Sequence, residues 1–143
     1  MRVDYFDMSR RAQRLYAQAM EPLCTAHDLS RSELDVLLFL HNNPEYDRAA
    51  DIVAHRGMVK SQVSLSVTNL ESRGLLLRTT DPEDRRTVHL SLTAAASDIV
   101  QSGQKIQRAF FEEFFAGISY EELMRWQQLI AIIDGNMASM EGK

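Results

Sequence analysis

Residues 49–93 read AADIVAHRGMVKSQVSLSVTNLESRGLLLRTTDPEDRRTVHLSLT. Ile52 and Val53 mark a short helix, and Val63, Val67 and Leu70 recur at i, i+4 and i+7 on the next, which defines one buried stripe. At about 100° per residue, the opposite arc of that second helix holds Ser61, Ser64, Leu65, Thr68 and Ser72, with Lys60 and Gln62 near its start. Gly57 falls where the two helices must turn. Gly74 falls just past the second, where a left-handed residue is favoured. Leu75, Leu76 and Leu77 then open an extended run through Thr80, and Val88, Leu90 and Leu92 alternate along a returning one. The connector DPEDRR is turn-prone through Asp81 and Pro82 and ends in Arg85 and Arg86.

Helix, turn, helix and ribbon in that order suit a reader of double-stranded DNA. A small, hydroxyl-rich helix face can approach the major groove closely, its hydroxyls and amide can bond base edges or phosphates, and Leu65 can meet a thymine methyl. Arginines carried on a narrow ribbon suit the minor groove, whose negative potential attracts guanidinium groups. Asp84 is close enough in sequence to hold one of them in place. The residues alone also fit an ordinary surface helix beside a solvated hairpin with a local ion pair.

KSQVSLSVTNLESRGLLLR followed by DPEDRRTVHLSLT closely resembles the winged helix-turn-helix of the MarR family of bacterial transcription regulators. The family pattern falls on Ser61, Val63 and Ser64, then Leu70, Glu71, Gly74 and Leu75, then Asp84 and Arg86, then Leu92 and Thr93. The resemblance implies a recognition helix starting near Lys60 in the major groove, and Arg86 in the minor groove with Asp84 orienting it. It continues upstream through Leu29, Ser30, Glu33, Val36, Leu37 and Leu40. Leu65 and Val59 depart from it. Many relatives carry an arginine or other polar residue at the first position, and a capping Ser, Thr or Asp is common at the second.

The 143 residues, 45% hydrophobic and 25% charged, suit one domain-sized unit with a buried core. A net charge of -4 argues against a non-specific coat for nucleic acid. Seven cations against five anions between Arg48 and Leu92 make this segment the one plausible footprint for a polyanion. No stretch has the apolar length of a bilayer span, and MRVDYFDMSRR lacks a signal peptide's hydrophobic segment, so a cytoplasmic location is expected.

Residues from Val3 to about His27 read as a helix, on which Arg10, Arg11 and Arg14 form a basic cluster best taken as a solvated face. Ser30 and Glu33 make a capping-box pattern opening LDVLLFL, and Asn42, Asn43 and Pro44 close that helix. Cys24, the sole cysteine, reads as a buried apolar thiol, although some relatives of the resembled family sense oxidants through an N-terminal cysteine. Past the ribbon, Thr93 is expected to cap a long helix from Ala94 to about Ala116. Ser119 and Glu122 open another, on which Leu123, Trp126, Ile130, Ile133, Met137 and Met140 follow a coiled-coil seam.

A helix so apolar is expected to bury against a second chain, and the resemblance implies a homodimer of intertwined terminal helices bound to a pseudo-palindromic site. It also implies a pocket for small aromatic ligands, for which Tyr16, Met20, His41, Phe110 and Phe114 are the candidate lining residues.

The sequence carries no enzyme motif: His27, His41, His55 and His89 are scattered, and no phosphate-binding glycine loop or nucleophile elbow occurs. No metal or cofactor is expected. The fold expected is mostly α with a small β-wing: an N-terminal dimerisation helix over 1–28, a winged helix-turn-helix over 29–93 and dimerisation helices over 94–143. Its expected function is sequence-specific regulation of transcription, with repression implied by the resemblance. Lys60, Ser61, Gln62, Ser64, Leu65 and Thr68 are assigned to the major groove, and Asp84, Arg85 and Arg86 to the wing. The competing reading is a winged-helix interaction module without specific DNA binding.

Overall fold

The computed structural model describes residues 3–143, which form two compact units that divide between Phe110 and Phe111. Helix α1 (Tyr5–His27) starts at Asp4, whose carboxylate accepts the Asp7 N–H, and its inner face buries Met20, Leu23 and Cys24. A left-handed residue, Asp28, closes it. Ser30 then opens α2 (Arg31–Asn42) with the expected reciprocal cap: the Glu33 N–H donates to Ser30 Oγ at 3.1 Å and the Ser30 N–H to Glu33 Oε1 at 2.8 Å. Leu34, Val36, Leu37, Leu38, Phe39 and Leu40 are all buried, so α2 is the central helix of the first unit, contacted by α1, α3, α4 and the ribbon.

Against it lie α3 (Ala49–Arg56) and α4 (Lys60–Ser72), joined through Gly57 at φ +71°. The buried stripe of α4 comprises the expected Val63, Val67 and Leu70, joined by Ser66. Gly74, at φ +72°, turns the chain into β1 (Leu76–Thr80), which pairs antiparallel with β2 (Val88–Leu92) in a register running from Leu76 opposite Leu92 to Thr80 opposite Val88. Leu76 and Leu90 point into the core.

The expected cap at Thr93 is not formed. Its Oγ1 donates instead to the Gly74 carbonyl at 2.6 Å, and Ala94–Ala96 make a single 3-10 turn before α5 (Ser97–Phe114) begins. Gly74 lies one residue past the C-cap of α4, and its carbonyl takes the hydroxyl that would otherwise cap the following turn. Where α5 crosses α2, a Cβ on Gly103 would stand 2.6 Å from Leu38 Cδ2, so glycine permits the close approach.

In the second unit, Gly117 (φ +83°) leads to α6 (Tyr120–Glu141), opened by the expected Ser119 and Glu122 capping box. Phe115 packs edge-on against Trp126 at 5.3 Å. No residue of α6 is buried, and Ile130, Ile133, Met137 and Met140 of the expected seam stand exposed. Among the described residues, no helix is long and apolar enough to cross a membrane.

Candidate nucleic-acid interface

The geometry of α4 separates its two faces cleanly. Four buried residues anchor one side to the core, while Lys60, Ser61, Gln62, Ser64, Leu65 and Thr68 are exposed on the other, Leu65 at 61%. Exposing a leucine and leaving the N-cap to Val59, which makes no side-chain cap, both forgo stability. Such features are expected on a surface that meets a partner.

Strand β1 supplies a residue that sequence reading missed. Arg78 donates from Nη2 to Thr68 Oγ1 at 3.1 Å and from Nη1 to Glu71 Oε1 at 3.2 Å, bracing the ribbon against the outer edge of α4. Alternation along the strand puts Arg78 on the same side as Leu76, and that was the available signal.

The wing loop is tied by its own carboxylates. The Asp81 N–H donates to the Thr87 carbonyl and the Thr87 N–H to the Asp84 carbonyl, closing the base. Asp81 Oδ1 accepts the N–H groups of Glu83 and Asp84, at 2.9 and 3.4 Å. Asp84 accepts the Arg86 N–H at 3.0 Å and the Thr87 hydroxyl at 3.1 Å. Asp84 is thus bonded directly to Arg86. It orients Arg86 through the main chain, because a short carboxylate two residues away reaches a backbone N–H more readily than a guanidinium. Arg85 and Arg86 are both exposed beside it.

Below the loop, His89 bridges two carboxylates: Nε2 lies 3.0 Å from Asp81 Oδ2, and Nδ1 lies 2.9 and 3.0 Å from the oxygens of Asp47. The bond to Asp81, followed by that to Asp47, holds the imidazole pKa above its ordinary value, and the same contact with His89 lowers that of Asp81.

Of the candidate ligand residues, Tyr16, Met20, His41 and Phe110 lie in the first unit and Phe114 in the second. Tyr16 and Phe110 meet edge to face at 5.3 Å, and the Tyr16 hydroxyl accepts from Gln107 Nε2 at 2.7 Å. Met20 is fully buried in the core. His41 lines a separate cleft of about 340 Å³ with Leu92, Thr93 and Ala94 among others, and Phe114 belongs to the second unit, against Phe111 and Phe115.

Residues 27–87, spanning α2, α3, α4, β1 and the wing loop, match the profile of the MarR family. This segment is similar to the MarR family. It is 27% identical over 118 residues, 82% of this chain and 70% of the other, to the uncharacterized HTH-type transcriptional regulator YdgJ of Bacillus subtilis (strain 168). The MarR fold extends over nearly the whole length: the crystal structure of transcriptional regulator PA3341 superposes with a TM-score of 0.82 at 23% identity, covering 95% of this chain and 99% of that one. The MepR–DNA complex of S. aureus gives 0.73 at 19% identity, covering 96% of each chain. The family match and the curated relative both support a DNA-binding transcriptional regulator of the helix-turn-helix type.

Proposed function

We propose that the protein binds a pseudo-palindromic operator as a homodimer in the cytoplasm and represses by blocking access to the promoter. Residues 1–28 and 94–143 form the shared interface in this reading, and each 29–93 segment lays α4 into a major groove. Lys60, Ser61, Gln62, Ser64, Leu65 and Thr68 contact bases and phosphates there, and Arg85 and Arg86 enter the flanking minor groove. The observation that carries the proposal is the bare, hydroxyl-rich face of α4 standing beside a wing tipped with two arginines. The exposed seam of α6 supports the dimer, and two-fold symmetry then sets the recognition helices about one DNA turn apart. The MepR complex supports DNA as the partner, since that protein of the same fold is solved on DNA.

Release by a small aromatic ligand is the regulatory half of the proposal, and Tyr16 and Phe110 are the candidate residues from which to seek it. Such a ligand must prefer a conformer whose recognition helices are misplaced, because only differential affinity shifts the equilibrium.

The test is fluorescence anisotropy on a duplex from the gene's own upstream intergenic region, with random DNA as competitor. Wild type should bind saturably through the competitor, and Arg86→Ala should lose roughly tenfold, the loss of one minor-groove guanidinium. Equal, weak binding of both proteins to both DNAs overturns the specific-reader proposal for that site.

A further inference from the structure

His89 has an acidic partner on each ring nitrogen, and a neutral imidazole cannot serve both. It carries one N–H; its other nitrogen then presents a lone pair to a carboxylate oxygen. Contacts of 3.0 Å to Asp81 and 2.9 Å to Asp47 therefore call for the imidazolium, which donates in both directions. The two partners lie on different parts of the fold. Asp81 organises the loop that bears Arg85 and Arg86, through its bonds to the Glu83 and Asp84 N–H groups. Asp47 lies ahead of α3, and its carbonyl accepts the Leu90 N–H at 2.7 Å.

We propose that His89 is a positioning residue for DNA binding: doubly protonated, it ties the wing to the segment before α3 through Asp81 and Asp47, and loss of that proton frees the wing and weakens the hold on DNA. The inference rests on the wing's assignment to the minor groove made above. Two effects act in the same direction. Deprotonation removes one of the two charge-assisted bonds that fix the wing base, and it leaves two carboxylates without their shared cation beside a surface meant for phosphates.

The titratable groups that face the ring are Asp81 from the wing loop and Asp47 from the segment before α3. Across the ribbon its neighbour is the uncharged Thr79. Because the carboxylates raise the imidazole above its ordinary 6.5, the brace is complete below that value and is lost as pH rises through the folded-state value.

Two measurements on the full chain test this. Heteronuclear NMR follows the His89 ring nitrogens and the Glu83, Asp84 and Arg86 amides from pH 5.5 to 9. The ring should titrate above 6.5, the wing amides should move with it, and Asp47→Asn should lower the midpoint. A ring that titrates at or below 6.5, or wing amides that ignore it, overturns the brace. In parallel, anisotropy on the upstream duplex compares wild type with His89→Gln, whose amide stays neutral across the whole titration. Wild-type affinity should fall roughly three- to tenfold across the titration beyond any change in the variant, consistent with one charge-assisted bond and one charge near phosphate. Parallel pH profiles for the two proteins overturn the positioning role. If wild type binds no duplex at any pH, it is the DNA-binding proposal that fails, while the NMR result still decides the brace.

Discussion

The guanidinium of Arg73 reaches back 46 positions to the carbonyl of His27, 2.6 Å from Nη2, while Nη1 donates to the Asp28 carbonyl at 2.7 Å. Arg73 is the C-cap of α4, and the two carbonyls lie at the C-terminal end of α1. A cation placed there satisfies orphan acceptors and meets the negative end of the helix dipole. One side chain thus joins α1 to the end of α4.

Arg73→Ala should lower the melting temperature by about 3–5 °C, as expected from charge-assisted bonds discounted for their exposure to roughly 1 kcal/mol. Calorimetry checks the value. Arg73→Lys should recover only part of the loss, because a single ammonium cannot reproduce the fork that spans two carbonyls.

Gly57→Ala tests the turn between α3 and α4. An added Cβ would meet nothing within 4 Å, so the whole cost is conformational, from φ +71°. Denaturant unfolding should show a loss of about 1 kcal/mol, with Gly57→Asn losing less because asparagine tolerates the left-handed region.

Cys24 should be slow to react. It is 7% exposed, and burial pushes its thiol above the ordinary value of 9.0, so at pH 8 the nucleophilic thiolate is scarcer than in a free cysteine. A thiol-specific chromogenic reagent should label the folded protein far more slowly than the protein in guanidinium. Equal rates would refute a buried, inert thiol.

Ile133→Glu combined with Met137→Glu addresses the α6 seam. Since both side chains are exposed and no residue of α6 is buried within the chain, the pair should leave helix content unchanged while shifting the sedimentation coefficient from dimer to monomer. A variant that still sediments as a dimer would show that the seam is not the interface.

Local signals were legible in the sequence and distant ones were not. Ser30 with Glu33, and Ser119 with Glu122, form the caps that their three-residue spacing announces, and the 3.6-residue period of Val63, Val67 and Leu70 fixed which side of α4 faces outward. Thr93 had the right residue type for a cap, yet its hydroxyl goes to Gly74, which tertiary packing brings alongside from 19 residues away. Asp84 was placed correctly beside Arg86 but acts on its N–H. His89 looked like one of four scattered histidines, because its partner Asp47 is separated from it by 42 positions and only the ribbon's docking unites them. The candidate ligand residues were not legible for a related reason: Met20 and Phe110 both carry apolar side chains at helical spacing, and that pattern alone does not separate core from cavity wall.

The central claim is that the outer face of α4 reads bases, and selection from a pool of randomised duplexes tests it most directly. Wild type should enrich an inverted repeat with half-sites about one helical turn apart. Leu65→Gln should enrich the same repeat with one base pair per half-site changed, from a thymine met by an apolar side chain to adenine, which pairs with an amide. If wild type enriches no motif, or the two proteins enrich identical ones, α4 does not read sequence through Leu65 and the assignment of this face to the major groove is contradicted.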